Sequence, residues 1–143
     1  MTLHRHPLGR GRLVAALSAI VILVGCMLPW FRAGGSDGLP AIEGNAFEGP
    51  GILVFLAALA TLALVALPYA AGDRPVALDR WWAYAATTAL AAVGLVARVI
   101  GIATEPGGVG TMLPDRAPGL WLTALGVLGL VFATAELYGE RRE

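Results

Sequence analysis

Apolar positions along this chain fall into four long blocks, and the charges lie almost wholly between them. No charged residue occurs in residues 13–31, 49–72, 81–97 (with the apolar run resuming past Arg98 to residue 103) or 117–135. A bilayer core of ~30 Å needs about 20 apolar residues at ~1.5 Å each, so each block is long enough to cross it as a helix. A soluble chain of this length could bury one helix that is apolar all round, but not four. The pattern therefore predicts an all-α fold, an integral membrane bundle of four transmembrane helices joined as antiparallel hairpins. The spans fall at about 13–31, 50–71, 81–102 and 118–138, in a single domain covering 1–143. Open strands across the bilayer are excluded, because an unclosed sheet in lipid leaves backbone amides unpaired.

Local chemistry marks the ends of the spans. Pro50 and Pro118 stand where a helix start tolerates a missing N–H. Glu48 and Asp115 precede those starts and suit the positive end of the helix dipole, and Asp79 is placed to cap the third span. Pro29 should end or kink the first helix and Pro68 the second. Trp30, Phe31, Trp81, Trp82, Tyr84, Trp121 and Tyr138 sit where an interfacial aromatic belt belongs.

Orientation follows from the arginines. Seven of the ten (Arg5, Arg10, Arg12, Arg74, Arg80, Arg141 and Arg142) fall in the two tails and the 72–80 loop. The 32–49 and 103–117 loops hold only Arg32 and Arg116. An excess of arginine marks the cytoplasmic side, so both termini are expected inside a cell membrane, with the other two loops outside. Those outer loops carry Asp37, Glu43, Glu48, Glu105 and Asp115. Their glycine and proline content reads as mobile chain, with an ordered cap as the alternative.

Composition narrows the function classes. The chain has no lysine, 14% charged residues and a formal charge of zero, so nothing in it holds nucleic acid. Its two histidines, His4 and His6, lie in a polar tail, and a single cysteine allows no internal disulfide. No P-loop, paired Cys-x-x-Cys or His-Glu-x-x-His pattern occurs, and Asp37, Glu43 and Glu48 match no calcium loop. No catalytic residue, cofactor or metal site is expected, and no enzyme activity. Leu23-Val24-Gly25-Cys26 resembles a lipoprotein cleavage site, but the apolar run continues to Phe31, at full spanning length, which favours a retained helix.

Arg98 is the sharpest residue, being a cation inside a span. It lies about 7 Å from the outer end of the third helix by the helical rise, within reach of headgroup level for a snorkelling stem. Glu48 and Glu105 are its candidate partners. Glu136, near the inner end of the fourth span, is expected in a wet setting within reach of Arg12, Arg74 or Arg80. Gly126, Gly129 and Ala133, Ala85 and Ala89, and Ala15 and Ala19 are spaced for close helix packing.

Leu28-Pro29-Trp30-Phe31, then Asn45-Ala46-Phe47-Glu48, then Gly119-Leu120-Trp121 resemble motifs of the small four-helix integral membrane proteins common in high-GC Gram-positive bacteria. Phe47 stands where that family usually has tryptophan. The resemblance implies the same topology and no particular reaction. Trp30, Phe31 and Phe47 are expected to stack as a collar at the outer interface. The function expected is that of an accessory or structural membrane protein, meeting membrane lipid, a membrane-protein partner or a second copy of itself through its outer loops and helix faces. The alternative is a subunit of an oligomeric transporter or channel for small solutes or lipids. Ser18, Thr61, Thr87, Thr88, Thr123 and Thr134, the mid-helix hydroxyls, would then line a wet path with Arg98.

Overall fold

Pro29 sets the first boundary of the fold. A residue before proline is pushed out of the helical region, and Leu28 accordingly caps the first helix in extended conformation (φ −89°, ψ 160°). The computed structural model describes residues 8–35 and 37–142, and in it α1 runs Arg10–Met27. The helix thus ends four residues short of the expected span, and the Trp30-Phe31 pair belongs to the loop. A three-residue 3-10 turn, Gly49–Gly51, leads into α2, Ile52–Ala71. Then follow α3, Trp81–Ala103, a one-turn α4, Gly108–Thr111, and α5, Pro118–Glu140. The four long helices are each long and apolar enough to cross a membrane.

Two expectations about helix ends need correction. Pro68 does not end α2, since the helix continues through it to Ala71; it stands in the last turn, where its missing N–H leaves the Leu64 carbonyl without its helical partner. Asp79 does not cap α3. The N-cap is Arg80, with no side-chain cap bond, and the Asp79 carboxylate is engaged by Arg12 of α1 instead.

The long helices pack as a ring in which each touches the one before and the one after, with α1 closing against α5. Successive helices run in opposite directions. One end of the ring therefore carries the chain termini and the 72–80 connection, and the other carries two longer loops. We call these the termini end and the hairpin end, because the first long loop is not structureless. Strands β1, Phe31–Ala33, and β2, Ile42–Gly44, pair antiparallel with Phe31 opposite Gly44 and Ala33 opposite Ile42. The second loop holds α4. Both loops thus differ from the mobile chain their glycine and proline content suggests.

The ring closes on small side chains. Ala15, Ala19, Ile22 and Cys26 of α1 are fully buried, and Ala133 and Leu130 of α5 nearly so. A Cβ at Gly126 would overlap the Ile22 side chain, and one at Gly129 would overlap the Ser18 hydroxyl. Bare backbone at these positions lets the two helices approach closely. The Ala85–Ala89 face of α3 does not serve this purpose: Ala89 is exposed, and the buried face of α3 is Ala83, Tyr84, Thr88, Ala91 and Gly94.

Large apolar side chains point the other way. Leu13, Leu17, Ile20, Val24, Leu56, Val93, Val96, Leu125, Leu128 and Val131 are all exposed. Only 22–39% of the most apolar stretch of each long helix is buried within the ring. Most of the oily surface therefore faces outward, the reverse of a water-soluble bundle.

Candidate functional site

The hairpin end is built on Trp30. Freed from the helix by Pro29, its indole is fully buried, and the indole N–H donates back to the Gly25 carbonyl of α1 (3.0 Å). The Trp30 backbone N–H donates to the Gly44 carbonyl (2.7 Å), tying the start of the hairpin to its end. The Pro29 carbonyl accepts from the Gly119 N–H in the first turn of α5 (3.0 Å). One side chain and its neighbour thus join α1, the hairpin and α5.

The hairpin then delivers residues to a cleft. Gly44 lies under the Phe31 ring, and a Cβ there would strike both that ring and the Glu48 carboxylate. Asn45 Oδ1 accepts the Phe47 N–H (3.0 Å), forming the tight turn that follows β2. Gly49, at φ +69°, reverses the chain into α2. Glu48 is thereby held over α3, where its Oε2 accepts from Arg98 Nη2 (3.3 Å). The Arg98 guanidinium carbon also lies 5.6 Å from the Phe31 ring centre, at cation–π distance. The Arg98 side chain is 15% exposed and that of Glu48 55%, so the arginine is the embedded partner and the carboxylate the wet one.

A cleft of about 520 Å³ opens beside this group, lined by Phe31, Glu48, Arg98 and Ile102, and by Glu105, Pro106 and Thr111 of the second loop. The structure therefore brings Arg98, Glu48, Phe31 and Glu105 to one place. Arg98 makes its ion pair with Glu48; Glu105 only lines the cleft wall. The three-ring collar is not formed. Phe47 turns to Phe55 of α2, edge to face at 5.0 Å, while Phe31 lies under Arg98 and Trp30 is sealed inside.

Other charges disperse. Glu43 pairs across the strands with Arg32, so Asp37, Glu43 and Glu48 do not gather around a common point. Glu136 has no ion pair among the described residues, and of its three expected partners Arg12 is taken by Asp79. His4 and His6 lie outside the described residues. Cys26 is buried in the last turn of α1.

The mid-helix hydroxyls are used for packing. The Thr61 hydroxyl donates to the Ala57 carbonyl (2.9 Å) and lies 3.0 Å from that of Thr87, joining α2 to α3. Thr88 and Thr134 are hydrogen-bonded at 3.0 Å, joining α3 to α5. Thr123 is fully buried against Gly25 at the α1–α5 contact.

The hairpin and α4 escape sequence reading for a physical reason. Phe31-Arg32-Ala33 and Ile42-Glu43-Gly44 are too short to show an alternating pattern, and α4 is a single turn of Gly-Val-Gly-Thr. The pointer that was available is Asn45-Ala46-Phe47, where an Asx turn predicts local order. A scan against protein-family models matches none, and searches of the curated proteins and of the solved structures match none either.

Proposed function

We propose that this chain is an integral membrane protein with both termini in the cytoplasm, acting as an accessory or structural component through its hairpin end. The carrying observation is the roofed cleft: a hairpin pinned by Trp30, with Arg98, Glu48 and Phe31 assembled beneath it. Insertion is supported by the outward-facing apolar side chains and the inward-facing small ones. Orientation is supported by the arginine excess at the termini end.

A rigid cap with apolar residues displayed on it is what a contact surface needs. Leu39 and Ile42 of the hairpin region are 67% and 65% exposed, and Val109 of α4 is 67% exposed. These face away from the ring at the end that this reading places outside, where a membrane-protein partner or lipid headgroups meet them. The transporter alternative has no comparable support, because Thr61, Thr87, Thr88 and Thr134 spend their hydroxyls on one another and on helix carbonyls.

The test is photo-crosslinking from Leu39 and Ile42 in native membranes. One discrete adduct, lost when Arg98 is replaced by leucine, supports the reading. A featureless smear, or labelling of cytoplasmic proteins, refutes it.

A further inference from the structure

The termini end carries a second cleft, of about 470 Å³, between α1, α3 and α5. Its walls hold an unusual set of unused donors. Tyr84 is 2% exposed and its hydroxyl has no hydrogen-bond partner; the Trp81 indole N–H is likewise buried and unpaired. A buried polar group without a partner is costly, so two on the lining of one cleft point to something that completes them. Arg80 and Arg141 line the same cleft, and neither has a carboxylate partner among the described residues. The first turn of α3 starts at this cleft without a side-chain cap, its Ala83 N–H donating to the Arg80 carbonyl (3.0 Å).

The carboxylates nearby are already engaged or placed. Asp79 Oδ2 is held by Arg12. The Glu140 carboxylate stands 3.7 Å from where a Cβ on Gly9 would lie, over the uncapped start of α1, where a negative charge is favourable. What remains is rich in donors but only mildly positive, with Arg12, Arg80 and Arg141 set against Asp79 and Glu140 in the lining. Its acceptors are the Glu140 carboxylate, which has no ion pair among the described residues, and Asp79 Oδ1, a buried acceptor with no partner.

We propose that this cleft binds a phosphate ester: a phosphate received by Arg80, Arg141, Trp81 and Tyr84, with a hydroxyl or ammonium on the same molecule donating to Asp79 Oδ1. Guanidinium and helix-start N–H groups are the usual partners of phosphate. Arg80 and Arg141 are exposed and line the mouth of the cleft that Tyr84 and Trp81 also line, so a ligand can meet the guanidinium groups from solvent. Two sources supply this chemistry, a phospholipid headgroup such as phosphoglycerol and a soluble ester such as glycerol phosphate. The headgroup source rests on the membrane reading above; the phosphate chemistry does not.

The experiment is native mass spectrometry of the full chain in mild detergent, with phosphatidylglycerol and phosphatidylcholine at equal concentration. Phosphatidylcholine has a phosphate but no donor for Asp79. Retention of phosphatidylglycerol about tenfold above phosphatidylcholine is expected, the worth of one charge-assisted hydrogen bond. Arg80→Ala with Arg141→Ala should abolish retention of both lipids, whose phosphate these residues receive, and the preference with it. Tyr84→Phe, which removes an oxygen no residue uses, should weaken it several-fold while raising the melting temperature of the ligand-free protein or leaving it unchanged. Equal retention of the two lipids, or a preference untouched by these substitutions, overturns the proposal. Displacement by excess glycerol phosphate assigns the site to a soluble ester, and failure to displace assigns it to the lipid. A chain that stays dissolved without detergent removes the membrane reading alone, since glycerol phosphate binding is still measurable on it.

Discussion

Arg98 shows how one residue's setting follows from its place in a helix. Its guanidinium is nearly buried, yet it has both a carboxylate and an aromatic face, so the cost of embedding the cation is offset locally. Arg98→Leu is expected to destabilise the detergent-solubilised protein by about 1–2 kcal/mol, from the lost ring contact and ion pair together. Glu48→Gln should cost less, because Glu48 is half in water and its pairing is screened. Thermal unfolding of both variants in one detergent checks the order. Trp30 is the more critical side chain. Trp30→Ala removes a fully buried ring and its bond to Gly25, and is expected to cost roughly 3–5 kcal/mol. The sequence offers Glu48 and Glu105 alike as partners for Arg98, and Glu105 is the nearer along the chain. What decides is the turn at Asn45 and Gly49, which swings Glu48 over α3, and a backbone path of that kind is not written in spacing.

At the scale of elements, the contrast is between glycines that hold helices together and glycines that do nothing. Gly129→Val places two methyl groups against Ser18 and is expected to cost about 1–3 kcal/mol through overpacking at the α1–α5 contact. Gly101→Ala, on α3 with open space around it, should be neutral or stabilise by about 0.5–1 kcal/mol, the difference in helix propensity. Side-by-side unfolding in detergent tests both, and equal effects would mean a looser helix pair than the close approach at Gly129 requires. Thr88→Val breaks the bond to Thr134 for a loss of about 0.6 kcal/mol, the usual worth of an interhelical bond in a membrane setting. The long helices were legible because a charge-free run of spanning length has little use outside a bilayer. The small-residue stripes were legible on α1 and α5 but misleading on α3, since an alanine-rich helix offers several such faces and only the neighbours choose among them.

For the whole molecule, the distribution of side-chain size is the informative quantity: small inside, large outside, with arginines gathered at one end. That arrangement predicts a labelling result. A cysteine introduced by Ile42→Cys should react with a membrane-impermeant maleimide added to intact cells, while the buried native Cys26 stays silent. Labelling only after the cells are broken would reverse the orientation. Gross architecture was readable from hydropathy and charge, whereas the cap over one end was not, because it depends on contacts between segments far apart in sequence.

The closest helix pair joins the first long segment to the last. During synthesis the α1 groove is complete at Met27, yet its match does not exist until Glu140 has been made. At roughly 5–20 residues per second, the nascent first helix waits about 6–23 s with Ser18, Ile22 and Gly25 uncovered. Biogenesis of this protein is thus a matter of holding an early segment in trust for a late one, and truncation before Pro118 leaves an open groove rather than a smaller bundle.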